Sequence, residues 1–265
     1  MKKPLFIVAA LVFFASCKDK KDKEAMEPAK YSDIAAENLK GDIVSYTETP
    51  YQTDSAGVAG DMDSCCISMA EFDNNGYIIR STSKNSKGEV TQSSTYTRHP
   101  NGLWKGAENT KDGKTTGGME TELDDKGNYT VARETDSTGK MSIYYTDITT
   151  NEYGNVTHWK QYDQDSVFRQ EGMSTYDKTR QLSFELKDST GKVKSSSASK
   201  YNDKGEMTEN SYTTTSGDTT KTTVTMYTYE SYDDMGNWTQ RTSWEDGKAK
   251  KVVKRTYEYR KEGEK

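Results

Sequence analysis

Glycine-centred turns recur through almost the whole of this 265-residue chain, and that periodicity constrains its fold more than any other feature. One series runs Gly76, Gly102, Gly127, Gly154, Arg180, Gly205, Gly236 and Gly263, with Arg180 standing in for a glycine. A second series interleaves with it: Gly88, Gly113, Gly139, Asp165, Gly191, Gly217 and Gly247. The step within each is about 26 residues, with one longer step near residue 220, and a fixed period of that size marks a repeat architecture. The openings FDNNG (72–76), LDDKG (123–127), YNDKG (201–205) and YDDMG (232–236) show the chemistry. Asp and Asn bond back to the turn backbone, and Gly supplies positive φ.

An aromatic or apolar residue stands four before many first-series positions: Phe72, Leu123, Tyr176, Tyr201, Tyr232 and Tyr259. Two residues past each such position stands an apolar one: Ile43, Ile78, Trp104, Tyr129, Val156, Leu182, Met207 and Trp238. Gly41 joins the series by this rule. The eight residues form a stripe on one face of an antiparallel sheet. Leu, Ile, Val and Phe together number only 33, too few for the core of a compact two-sheet sandwich. The expected fold is all-β: an elongated antiparallel β-meander of repeated hairpins. About 15 strands at about 4.8 Å would span about 70 Å if flat. The single sheet is therefore expected to be strongly coiled or partly closed.

The N-terminus reads as an address. Basic Met1-Lys2-Lys3 precedes an apolar run, Pro4 to Phe14, that is too short to span a bilayer. Phe14-Ala15-Ser16-Cys17 resembles a bacterial lipobox, which implies cleavage before Cys17 and lipidation of that cysteine; an ordinary secretory signal cut nearby is the alternative. The domain division is 1–16 signal peptide, 17–38 lipidated cysteine and charged tether, and 39–265 repeat domain. The expected location is the bacterial outer membrane, lipid-anchored at the cell surface or periplasmic face. Tether residues 18–30 (KDKKDKEAMEPAK) read as a solvated spacer or a surface-export signal. Residues 31–40 read as one or two helical turns or a lead-in to the sheet.

YDDMGNW (232–238), YNDKGEM (201–207) and RTYEYR (255–260) resemble YD repeats of the Rhs type. With an LKG-type start such as Leu39-Lys40-Gly41, the units also resemble uncharacterised Bacteroidota lipoproteins. The resemblance covers residues 39 to 265 and implies a wrapping β-sheet shell. In large members that shell encloses a toxin segment, for which this chain is too short. An accessory role in polymorphic-toxin systems is the functional alternative that the resemblance implies.

Residues that could carry chemistry are few. His99 and His158 have no partner at metal-ligand spacing. Neither a nucleophile elbow, a phosphate loop nor a zinc-protease motif occurs. The paired acids Asp61/Asp63, Asp124/Asp125, Asp163/Asp165 and Asp233/Asp234 fit turn chemistry better than catalysis or calcium binding. Cys65 and Cys66 are adjacent and read as free thiols, a vicinal disulfide or a functional pair. A net charge of −5 without a basic cluster argues against nucleic acid. The expectation is a non-enzymatic surface scaffold or binding module for a protein or glycan, without cofactor or metal; a carbohydrate-active enzyme is the weaker alternative. Trp104, Tyr129, Trp159, Trp238 and Trp244 are the candidate ligand-stacking residues, and Cys17 is the lipid attachment site. Replacing Cys17→Ser should abolish labelling by radioactive fatty acid and move the protein from the membrane to the soluble fraction; unchanged labelling would contradict the lipobox reading.

Overall fold

The computed structural model describes residues 32–261. The expected signal peptide, Cys17, the expected tether up to residue 31 and Gly263 lie outside the described residues. One short helix, α1 (Asp33–Ala36), precedes seventeen strands. They are β1 (Ile43–Thr53), β2 (Ala59–Met62), β3 (Ile67–Phe72), β4 (Ile78–Lys84), β5 (Val90–Arg98), β6 (Trp104–Lys111), β7 (Lys114–Leu123), β8 (Tyr129–Asp136) and β9 (Met141–Thr150). There follow β10 (Val156–Asp163), β11 (Phe168–Asp177), β12 (Arg180–Asp188), β13 (Val193–Tyr201), β14 (Met207–Ser216), β15 (Thr219–Tyr232), β16 (Trp238–Glu245) and β17 (Lys248–Tyr259).

From β3 to β17 each strand pairs antiparallel with the next. β1 then pairs with β3 on one side and β17 on the other, from Ile43↔Tyr259 to Tyr51↔Val252. The ring closes as a barrel of 16 strands; the expected all-β antiparallel sheet is found, the partly closed alternative comes near it, and the strongly coiled open meander of about 15 strands is corrected. Closure removes both sheet edges, which an open sheet leaves as rows of unpaired N–H and C=O groups. β2 stands outside the ring and pairs with the far end of β1 at Tyr51↔Met62 and Thr53↔Ala59. A ring of this size, roughly 30 Å across at the backbone, is too wide for side chains alone to fill. The scarcity of aliphatic residues follows, because the barrel has no second sheet to pack against.

The turns explain the repeat. Asp73 accepts hydrogen bonds from the amides of Asn75 and Tyr77, both at 2.9 Å, while Gly76 takes φ +76°. The same five-residue loop recurs at Asp124, Asn151, Asn202 and Asp233 on this end of the barrel. It recurs at Asn85, Asp136, Asp163 and Asp188 on the other end. Each loop at the first end is followed by a register shift, so that the residue four before the glycine faces the one two after it: Phe72↔Ile78, Leu123↔Tyr129, Tyr201↔Met207 and Tyr232↔Trp238. Such a bulge interrupts the ladder and frees a carbonyl. At four of these bulges a tyrosine from the next strand satisfies it. Tyr176 Oη donates to the Val156 carbonyl at 3.2 Å, Tyr201 to Gln181 at 2.9 Å, Tyr229 to Met207 at 2.9 Å and Tyr257 to Trp238 at 2.8 Å.

Two members of the series sit differently from expectation. β11 and β12 join through a two-residue turn, with Asp177↔Arg180 paired and Lys178, not Arg180, at φ +58°. The turn is shorter than its siblings, so Gln181 takes the stripe position opposite Tyr176. Leu182 consequently points away and is 40% exposed; a one-residue slip changes the face. In the second series the left-handed residue is Ser166, at φ +60°, and not Asp165. The remaining stripe residues are buried or half-buried. The adjacent cysteines form a disulfide in the turn before β3, with Cys66 at φ +79°.

Alternation divides the wall into two faces. Tyr201, Gln181, Met207, Tyr229 and Trp238 face the N-terminal segment and the cavity beside it. Pairing extends this inner face around the ring: Gly172 shares it with Ser174, whose hydroxyl accepts from Gln181, and lies opposite Trp159. A Cβ on Gly172 would stand 2.3 Å from the Trp159 ring. Gly172→Ala should therefore overpack the wall and destabilise the barrel by about 1–3 kcal/mol in denaturant unfolding. Gly60→Ala, where a Cβ meets only ordinary contact at 3.6 Å, should stay within about 0.5 kcal/mol. Equal effects at the two positions would contradict this packing.

Candidate functional site: the strapped mouth of the barrel

Residues 32–40 lie across the end of the barrel formed by the first turn series. Ser32 caps α1 by accepting from the Ala35 amide at 3.4 Å. The strap is tied on one side to the β3–β4 turn and β5: Ile34 N donates to the Gly76 carbonyl at 3.1 Å, and Asp33 accepts from the Ile78 amide at 2.7 Å and from Arg98. On the other side it reaches the β13–β14 and β15–β16 turns. Asn38 Nδ2 donates to the Lys204 carbonyl at 2.7 Å. Asn237 accepts from Lys40 N and donates to the Lys40 carbonyl, both at 2.8 Å. Leu39 packs with Ile43, Ala70 and Phe72, and Ile34, Tyr46, Ile78, Tyr257 and Tyr259 adjoin this cluster. It is a buried hydrophobic cluster at this end of the barrel.

Arginines and aromatics alternate beneath the strap. Arg98 lies 3.8 Å over Trp104 and 4.8 Å over Tyr77. Arg255, 8% exposed, lies 4.1 Å over both Tyr46 and Trp238 and bonds Glu48 Oε1 through Nε at 3.0 Å. Its Nη2 is 3.8 Å from Glu37, which also accepts from Tyr46 Oη at 3.1 Å. Arg241 lies 4.9 Å over Trp238 and 5.1 Å over Tyr227. A cavity of about 270 Å³ opens between the strap and the wall of β12 to β16, lined by Arg180, Gln181, Tyr201, Tyr229, Trp238 and Arg241 among others.

Of the stacking candidates read from the sequence, Trp104, Tyr129, Trp159 and Trp238 are on the inner face. They do not form one continuous platform. Trp104 is covered by Arg98 and meets Tyr96 edge-on at 4.7 Å, and Trp159 meets Tyr145 edge-on at 5.4 Å. Tyr129 and Trp238 are each 9% exposed. Trp244 is on the outer face, where its Nε1 donates to Thr228 Oγ1 at 3.0 Å and residues 54–58 fold against it at Gly57. His158 bonds Glu171 at 2.7 Å, and His99 bonds Thr121 at 2.9 Å. The turn acids Asp124, Asp136, Asp163 and Asp188 are held below the ordinary carboxylate value by hydrogen bonds within their own turns. Among the described residues no three of His, Cys, Asp and Glu converge as a metal-ligand set.

The arginines were the part that sequence reasoning missed. A signal existed at Arg98, which occupies the position four before Gly102 where Phe72, Leu123 and Tyr201 stand in other units. Arg241 and Arg255 had none, because their meaning depends on pairing across strands.

No protein-family model matches this chain, and no curated protein matches it. Solved structures of similar shape include a porin-like protein from Bacteroides uniformis, 13% identical, with 82% of this chain and 98% of that chain covered at a TM-score of 0.48. A porin-like protein from Bacteroides vulgatus is 13% identical, with 82% and 98% covered at a TM-score of 0.35. TcdB2-TccC3 is 10% identical, with 82% of this chain but 17% of that chain covered at a TM-score of 0.24. Likenesses this distant transfer neither function nor location.

Asp33 and Glu37 are each raised above the ordinary carboxylate value by burial, against the pull of Arg98 and Arg255 respectively. A carboxyl raised in the folded state binds more protons there than when unfolded. Its contribution to stability therefore grows as pH falls through the folded pKa and is lost as pH rises through it. Hydrogen exchange at the Ile34 and Leu39 amides should show a firmer strap as pH is lowered from neutral through the raised carboxyl titrations, and Glu37→Gln should flatten that dependence. A strap that loosens steadily over this range would contradict the assignment.

Proposed function

We propose that this chain is a lipid-anchored, YD-repeat-like envelope protein whose barrel stands outside the bilayer as a binding module for a glycan or protein. The observation that carries this reading is the charge on the outer wall. Lys160–Asp147 at 2.7 Å, Lys187–Glu185 at 3.0 Å, Lys200–Glu209 at 2.9 Å and the Arg133–Glu122 pair all lie on the face opposite the lumen. A lipid-facing Lys or Arg near the bilayer midplane costs about 2–4 kcal/mol in a transmembrane barrel. Lys160 and Arg133 stand in the middle of β10 and β8, where that cost would apply, and Lys187 and Lys200 stand near the ends of β12 and β13, where it would be smaller; together they oppose a membrane-spanning pore, despite the strand number. An aqueous outer wall agrees with the lipobox reading of Cys17, since a barrel that does not insert needs another means of attachment.

The binding role rests on the mouth. Fixed aromatic and guanidinium groups surround a cavity there, and its walls are rigid strands rather than loops. The carboxylates near it are committed to the strap or the wall, so the reading is non-enzymatic. Display at the surface or on the periplasmic face is equally compatible with this geometry.

The full chain carrying Cys17→Ser should remain monodisperse in detergent-free buffer, and it should give no ion conductance in planar bilayers. Conductance steps, or aggregation relieved only by detergent, would overturn the reading.

A further inference from the structure

The positive charges under the strap are matched on one side of the mouth and unmatched on the other. Arg98 has Asp33, and Arg255 has Glu48 and Glu37. Arg241 has aromatic rings and forms no ion pair among the described residues. Arg180 has Asp177, but that carboxylate belongs to its own exposed turn, with 47% of the side chain open to solvent. Both guanidinium groups line the 270 Å³ cavity. Of the two carboxylates in its lining, Glu206 accepts from Asn202 at 2.8 Å and Tyr232 at 3.1 Å, and Glu37 faces Arg255. Arg241 is therefore a guanidinium of the mouth without a carboxylate in direct contact, while Glu37 and Glu206 line the same cavity with their oxygens engaged by Arg255, Asn202 and Tyr232.

Resting on the binding-module reading, we infer that this cavity receives a carboxylate-bearing sugar unit, with Arg241 as the principal anchor of the carboxylate and Arg180 as a second cation. A guanidinium held against Trp238 is pre-oriented for a forked, charge-assisted bond to a carboxylate. The volume suits one pyranose ring. The edges of Tyr201 and Tyr229 and the amide of Gln181 supply the mixed apolar and hydrogen-bonding wall that a sugar requires. A free amino acid fits less well, because the two carboxylates that could meet its ammonium group, Glu37 and Glu206, already accept from Tyr46 and from Asn202 and Tyr232.

The test is calorimetric titration of the full Cys17→Ser chain with D-glucuronate and, separately, with its neutral counterpart D-glucose. Glucuronate should bind at least 10-fold more tightly than glucose, with affinity falling as salt rises. Arg241→Gln should reduce glucuronate to the level of glucose with an unchanged circular dichroism spectrum, whereas Arg133→Gln, on the outer wall, should change nothing. Equal binding of the two sugars, no binding of glucuronate, or full glucuronate affinity in Arg241→Gln would overturn the inference. A glycan and peptide array run on the same preparation separates the two levels of the argument. Selective capture of neutral glycans or of peptides would sink the acidic-sugar proposal and leave the binding module standing, and a silent array with no glucuronate binding would sink both.

Discussion

The pairing of β1 with β17 is the contact on which the rest of the molecule depends. It joins residues more than 200 positions apart in the chain, through Glu48↔Arg255 at its middle. Without it β1 and β17 would not meet, and the sheet would end in an open row of backbone groups. With it, every strand of the ring has two neighbours and the inner face becomes a lumen. The Glu48–Arg255 bond fixes more than register. Arg255 holds Trp238 and Tyr46 under the strap, so ring closure and the architecture of the mouth share one side chain.

The strap has the second role in that arrangement. Its short helix offers little stability of its own, since helices of a single turn are unfavourable in water. Its order comes from docking: two asparagine bridges to distant turns, two acid–arginine contacts and the burial of Leu39 against Ile43 and Phe72. It is also the first described segment of the chain, and on the proposed lipidation of Cys17 the tether would lead to the end of the barrel where the cavity lies.

Local chemistry was legible in the sequence, and global closure only in part, as a sheet expected to coil or partly close and not as a complete ring. The turns at Gly76, Gly127, Gly205 and Gly236 could be read because Asp or Asn followed by Gly has one favoured geometry. The apolar stripe could be read because the turn fixes which residue follows the bulge. The reading failed where turn length changed. At Lys178-Thr179 the shorter turn moved Gln181 into the stripe and Leu182 out of it, and an apolar residue at the expected spacing concealed the slip. Complete closure could not be read because each hairpin looks the same whether the sheet ends or wraps. Among the site residues the tryptophans were visible by type, but the guanidinium groups over them arise from register between strands. The aliphatic poverty that spoke against a two-sheet sandwich has its physical reason in a single closed wall, at four of whose bulges tyrosine hydroxyls satisfy the backbone.

Closure of the ring is the central claim, and a cross-link measures it directly. Thr47 and Thr256 face each other across the β1–β17 seam. Cysteines introduced at both positions should oxidise to an intramolecular disulfide within one chain, seen as a mobility shift and as a linked peptide by mass spectrometry. The same pair would stay unlinked within a chain, with at most dimers between chains, if the protein were an open meander with β1 and β17 at opposite edges.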